Sequence, residues 1–145
     1  MAVPMEHYED DALIAMLGGR RSLGASTLHA ALRKGLRYRA LESLCNVLDT
    51  RPQDLAVLMG STARTMARRK VDQVLSPLES DRLYRVARVA KLAGDTLGSL
   101  EKAGTWLKSE NRALGGVTPL SQLDTEIGEH LVEDVLFRIQ HGIYS

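Results

Sequence analysis

A chain of 145 residues, 44% apolar, 26% charged and 4% aromatic, carries enough apolar material for one ordinary globular domain or two small ones sharing a core. It is too apolar to be disordered throughout. It has no run of about 18 apolar residues to cross a bilayer, and its start, Met1-Ala2-Val3-Pro4-Met5-Glu6, lacks the basic and apolar regions of a secretory signal. Its one cysteine, Cys45, excludes an intrachain disulfide and points to a reducing, cytoplasmic setting.

The net charge of +1 is unevenly spread. Residues 1–19 hold four acids and no Lys or Arg, residues 20–93 hold 15 Lys and Arg against 6 Asp and Glu, and residues 94–145 hold 4 against 8. A basic middle between acidic ends suggests a polyanion-binding segment joined to a part with another task.

Helical spacing recurs along the chain, while hairpin turns and sustained alternation are missing, so the fold class is all-α. Residues 9–17 predict a short helix ending at Gly18-Gly19, and residues 20–25 a loop. Ser26 can cap a helix to Lys34, with Leu28, Ala31 and Leu32 on one side and Gly35 as its stop. Leu41, Leu44, Cys45 and Leu48 form an i, i+3, i+4, i+7 stripe over 38–48, which makes Cys45 a buried structural thiol rather than a nucleophile. Pro52 opens a helix to Met59, Gly60 breaks it, and Ser61 or Thr62 caps the next helix to about Lys70. Residues 71–79 read as a loop with a stop at Ser76-Pro77. A long helix from about Ser80 to Leu97 turns Leu83, Val86, Ala87, Ala90 and Ala93 inward. Gly98-Ser99 interrupts it, and a shorter helix ends near Leu107-Lys108. Gly115-Gly116 and Pro119 mark an irregular connection. A last helix, capped by Asp124 or Thr125, spans about Thr125 to His141 and stops at Gly142.

The segment Pro52–Val71 has the parts of a helix-turn-helix. Ala56 is small enough for a tight crossing, and Gly60 tolerates the turn. Leu55, Leu58, Met59 and Met66 supply the shared core. The second helix then presents Thr62, Arg64, Thr65, Arg68 and Arg69, a face suited to the major groove of DNA. Its N-terminal half would meet base edges, while Arg68, Arg69 and Lys70 would reach phosphates. Two positions depart from the usual pattern: Ser61, where such motifs are apolar, and Arg69, near an expected core residue.

At about 100° per residue the last helix gathers Gly128, Leu131, Val132, Val135, Leu136 and Ile139 into one stripe. Glu126, Glu129, His130, Glu133, Asp134 and His141 lie elsewhere, and Phe137 falls among them as an aromatic facing outward. Glu126, His130 and Asp134 share helical spacing, but no second cluster completes a metal site, so a polar face is expected and no metal or cofactor. No phosphate loop or catalytic set is recognisable, so no catalytic residue is assigned.

Both halves resemble the Xre/MbcA/ParS antitoxins of bacterial type II toxin–antitoxin systems. The first half does so through the helix-turn-helix and the run from Met66 to Ala93. The second does so through Trp106-Leu107, Leu114-Gly115-Gly116, Thr118-Pro119-Leu120, Leu123-Asp124-Thr125, Gly128 and Gly142. The likeness covers about residues 26–145. It implies an N-terminal extension (1–25), a helix-turn-helix DNA-binding domain (26–97) and a small helical toxin-binding domain (98–145).

It also implies neutralisation of a cognate toxin, usually a RES-type enzyme that attacks NAD, together with repression of the protein's own operon. The family's C-terminal end lies at the toxin's active-site cleft. Toxin contacts are therefore expected at Trp106, Leu114, Gly115, Gly116, Phe137, Gly142, Ile143, Tyr144 and Ser145. By its residue type alone, a lone Trp on a helix such as Trp106 reads first as a core anchor between the two parts, and Gly115-Gly116 either shape a contact loop or let the chain turn. The expected partners are this toxin, operator DNA and a second copy of the chain, in a higher complex. The competing readings are a stand-alone transcriptional regulator whose C-terminal domain dimerises and, further off, a small helical enzyme using the acid/His helix.

Overall fold

The structure, a computed structural model, describes residues 13–19 and 25–142. The expected helix start at 9–12, most of the loop at 20–25 and the tail Ile143-Tyr144-Ser145 lie outside the described residues. Residues 13–16 form a helical turn. It is followed by α1 (Ala25–Lys34), α2 (Tyr38–Leu48), α3 (Pro52–Leu58), α4 (Ala63–Asp72), α5 (Pro77–Leu97), α6 (Leu100–Leu107) and α7 (Glu126–Gln140). Two 3₁₀ turns, Arg112–Leu114 and Leu120–Asp124, carry the chain from α6 to α7. Among the described residues the only extended pairings are two isolated bridges, Arg37 with Val74 and Asn111 with Val117.

The 21-residue α5 is the element around which the others gather; α1, α2, α3, α6 and α7 all pack on it. Its inward side is Leu83, Val86, Ala87, Val89, Ala90 and Ala93, all buried. The alanines let neighbouring helices approach closely, while Leu41, Leu44 and Leu48 of α2 fill the space with fully enclosed side chains. Each such leucine contributes roughly 2–3 kcal/mol by leaving water. One continuous cluster runs from Leu41 and Leu55 through Leu83 to Leu107, Val132 and Leu136. The helix-turn-helix and the C-terminal elements are therefore built on a common core.

Ser76-Pro77 starts a helix rather than stopping one. Ser76 is the N-cap of α5: its Oγ accepts from the Glu79 N–H at 3.1 Å, and Glu79 Oε1 accepts from the Ser76 N–H at 2.8 Å. This reciprocal pair satisfies two donors that a helix start leaves open, and Pro77 at the first helical position has none to lose. Two boundaries shift as well: α1 begins at Ala25, and α4 runs two residues further, to Asp72.

In α7, Gly128, Val132, Val135 and Leu136 are buried as the stripe requires, but Leu131 is 46% exposed and Ile139 only partly covered. The buried sector is rotated toward Glu129, placed elsewhere by the stripe, which is 2% exposed. Thr125, not Asp124, is the cap: its Oγ1 accepts from the Gly128 N–H at 3.0 Å. Gly128 has no room for a side chain, because a Cβ there would land on the Gln122 carbonyl oxygen.

Candidate functional sites

The first site is α3–turn–α4. Leu55, Ala56, Leu58, Met59 and Met66 are buried, and Ala56 is 1% exposed at the crossing. Gly60 holds φ +69°, a conformation that favours glycine, and the Arg82 guanidinium sits where its Cβ would be. Arg82 Nη1 also donates to the Met59 carbonyl at 3.1 Å, tying the turn to α5.

The two departures from the motif, Ser61 and Arg69, meet on one carboxylate. Ser61 Oγ donates to Glu79 Oε2 at 3.2 Å, and Arg69 Nε donates to Glu79 Oε1 at 2.8 Å. Glu79 is buried, with only 7% of its side chain exposed. Burial by itself would raise its carboxyl pKa. The Ser76 N–H and the Arg69 guanidinium overcome this and hold it below the ordinary carboxylate range. The polar network stands where such motifs place apolar contacts. It also corrects the expectation for Arg69, which is half-buried on Glu79 instead of lying on the outer face of α4.

The other expected residues divide. Arg64, Arg68 and Lys70 are exposed. Thr62 is exposed, but its Oγ1 is engaged as the N-cap, accepting from the Thr65 N–H at 3.1 Å. Thr65 is partly covered. Val71, expected in a loop, lies in the last turn of α4 on its outer face with 82% exposure.

The second site is the C-terminal region. Trp106 is half-buried against the common core and lines a cleft of about 540 Å³ with Leu97, Lys102 and Thr105. Asn111 to Val117 close into a loop: the Asn111 N–H donates to the Val117 carbonyl at 2.9 Å, and the Gly116 N–H to the Asn111 carbonyl at 2.8 Å. Leu114 packs on the core, whereas Gly115 and Gly116 face open space. Phe137 is 56% exposed and lies against His141, ring centroids 4.1 Å apart. Gly142 is exposed beyond α7. Ile127, 76% exposed, joins Leu131 one turn on to form an apolar pair on the outer side of α7. The sequence carried that signal only as an apolar residue outside the buried stripe.

An ion-pair cluster fastens α7 to α5. Arg85 Nε donates to Glu129 Oε2 at 2.8 Å, and Arg88 Nη2 pairs with the other oxygen of Glu129. Burial works to raise the Glu129 carboxyl, but the two arginines hold it below the usual range. Glu133, 3.8 Å from Arg88, is pushed up by burial and by the charge of Glu129, against the pull of Arg88. Elsewhere, burial pushes the Cys45 thiol up to about 12, so it stays protonated and inert. Glu126, His130 and Asp134 are exposed, and no group of His, Cys, Asp or Glu suited to a metal occurs among the described residues. No helix among them is long and apolar enough to cross a membrane.

Residues 27–88 match the antitoxin Xre-like helix-turn-helix domain, and residues 92–142 match the antitoxin Xre/MbcA/ParS C-terminal toxin-binding domain. Antitoxin Xre of Photorhabdus laumondii subsp. laumondii is 36% identical over 144 residues, 98% of this chain and 97% of the relative. Antitoxin Xre of Yersinia enterocolitica is 38% identical over 88 residues, 59% of this chain and 60% of the relative. A Sphingobium protein named Prs ADP-ribosylating antitoxin is 33% identical over 81 residues, 48% of this chain and 51% of the relative. With a helix-turn-helix and a toxin-binding domain on one helical core, the chain belongs to the Xre/MbcA/ParS antitoxin family.

Proposed function

We propose that the protein neutralises a RES-type, NAD-consuming toxin through its C-terminal region and represses its own operon by binding DNA as a homodimer through α4. The observation that carries this reading is the presence of two unlike exposed surfaces on one core. One is cationic, with Arg64, Arg68 and Lys70 on α4. The other is apolar with acidic neighbours, with Ile127, Leu131 and Phe137 on α7 among Glu126 and Asp134. A cationic helix face suits the phosphate backbone and groove of DNA. An acidic, partly apolar face suits a protein surface that carries basic residues, such as those that can surround a site for the pyrophosphate of NAD. The name of the Sphingobium relative, which speaks of ADP-ribosylation, fits a toxin that draws on NAD.

Trp106, Leu114, Gly115, Gly116, Phe137 and Gly142 to Ser145 form the proposed toxin contact, extended by Ile127 and Leu131. Within it, Gly142, Ile143, Tyr144 and Ser145 enter the cleft, with Tyr144 as the aromatic anchor. The test is co-expression and co-purification with the product of the adjacent gene. NAD consumption is then measured against increasing antitoxin, beside an operator titration. Deleting residues 142–145 should impair inhibition and leave operator binding intact. Full inhibition by the truncated chain would move the contact to α7 and the Gly115-Gly116 loop. Failure of the parent to bind the neighbouring product, with operator binding and dimerisation retained, would favour a stand-alone regulator.

A further inference from the structure

The exposed side of α4 is not uniformly cationic. Arg64, Ala67, Arg68 and Val71 are spaced i, i+3, i+4 and i+7, so they form one stripe along the helix, and all four are exposed. Val71, at 82%, is the most exposed large apolar side chain among the described residues. Ala67 stands between the two arginines along that stripe. Three neighbours on α4 are turned to structural tasks: Met66 is buried, Arg69 is held by Glu79, and Thr62 caps the helix. Along this stripe an outside partner meets charge, methyl, charge and isopropyl in turn, with Lys70 and Asp72 exposed beside it. A purely electrostatic phosphate contact does not use the two apolar positions, and water gains nothing from them.

We propose, resting on the reading of α4 as a DNA-recognition helix, that Ala67 and Val71 read the C5-methyl groups of pyrimidines in the operator's major groove. The lengths agree. Arg64 to Val71 spans about 10 Å of helix, which is about three base-pair steps at 3.4 Å each. In the major groove the apolar mark of an A·T pair is the thymine C5-methyl, and small apolar side chains are its partners. Arg64, near the start of α4, takes the acceptors of a guanine edge; Arg68, one turn on, reaches the backbone. Ala67 meets a methyl between them and Val71 meets one further along. The same methyl is carried by 5-methylcytosine; the group is taken as thymine's because thymine is present in unmodified DNA.

The full-length protein is first used to select its preferred duplex from a random pool. Each thymine of that duplex is then replaced by deoxyuridine, which removes the methyl and keeps every hydrogen-bonding atom. One or two positions per half-site should bind about fourfold more weakly, the scale of one buried methyl-sized group. In the A67S/V71S variant, which keeps the helix, that penalty should fall below about twofold, while the salt dependence set by the arginines stays. 5-Methyldeoxycytidine in place of deoxycytidine separates the sources: tighter binding there with no uridine penalty assigns the methyl to modified cytosine and overturns the thymine assignment. A selected duplex indifferent to both changes, or an undiminished uridine penalty in A67S/V71S, overturns methyl readout while the DNA-binding reading stands. A parent protein that selects no sequence overturns both.

Discussion

Helices α4 and α7 each offer a face to a partner, but they are held on the core by different means. α7 buries Gly128, Glu129, Val132, Val135 and Leu136, a broad side packed on α5 and the 3₁₀ turns. α4 buries only Met66. Its position comes from its Thr62 cap, from the Gly60 turn and from the Ser61–Glu79–Arg69 network. A helix held by its ends and one carboxylate leaves most of its circumference free for charge, at little risk to the fold. A helix held by packing can alter its outer face freely but not its seat. The comparison separates residues that position a surface from residues that form it.

The largest expected effect is at the seat of α7. Gly128→Ala forces a methyl onto the Gln122 carbonyl, and the backbone there must move. A loss above about 3 kcal/mol is expected in chemical denaturation, as for overpacking at a backbone contact. Glu129→Gln comes next. It leaves Arg85 and Arg88 facing a neutral amide, and because both arginines keep some water, the expected loss is about 2 kcal/mol, below that of a fully enclosed pair.

The same substitution sharpens the pH dependence. Glu129 and Glu79 are held low in the folded chain. The stability they contribute is complete above the unfolded carboxylate value of about 4.3 and is lost as pH falls through their lower folded values. Acid denaturation of Glu129→Gln should therefore start from lower stability at pH 7 but fall less steeply. Glu133 has the opposite sign: its folded value is raised, so its contribution weakens as pH rises through that value. Glu133→Gln should make the chain slightly more stable at neutral pH, and less so in acid.

The α4 network gives a smaller and reversible effect. Glu79→Gln keeps a side chain able to serve the capping box but leaves Arg69 without its counter-charge. About 1–2 kcal/mol should be lost in thermal unfolding. Adding Ser61→Val and Arg69→Leu should restore part of it, because two apolar side chains then replace the serine and the arginine left without its counter-charge, while the amide still serves the capping box. If the triple variant is less stable than Glu79→Gln alone, the network does more than stand in for apolar packing.

These two networks mark the limit of what could be read from the chain. Helix breaks at Gly60 and Gly98 and the start at Pro52 are local signals, and each falls where the sequence places it. The buried stripe of α2 follows from spacing alone. Ser76-Pro77 is ambiguous, since the pair fits both a stop and a start; Glu79 three residues on was the deciding sign. The burial of Glu129 depends on arginines 44 and 41 residues earlier, and that of Arg69 on a carboxylate ten residues later. No periodicity marks a charge that long-range pairing brings inside. The exposure of Leu131 follows from the same rotation of α7 toward Glu129. For the candidate surfaces, Arg64, Arg68, Lys70 and Phe137 were legible as outward residues. Ile127 and Val71 were not, because an exposed apolar side chain carries no sign of its own.

The central claim is that the two surfaces act independently on one core, and a crossed pair of variants tests it most directly. Arg64→Ala/Arg68→Ala and Ile127→Asp/Leu131→Asp are purified beside the parent and checked for equal thermal stability. Each is then titrated against operator DNA and against the neighbouring-gene product in an NAD-consumption assay. The arginine variant should lose at least about 100-fold in operator affinity and inhibit the toxin as the parent does. The α7 variant should lose at least about 30-fold in inhibition, by placing charge in an apolar contact, and bind operator unchanged. Either folded variant losing both activities, or neither variant losing its own, would contradict the account.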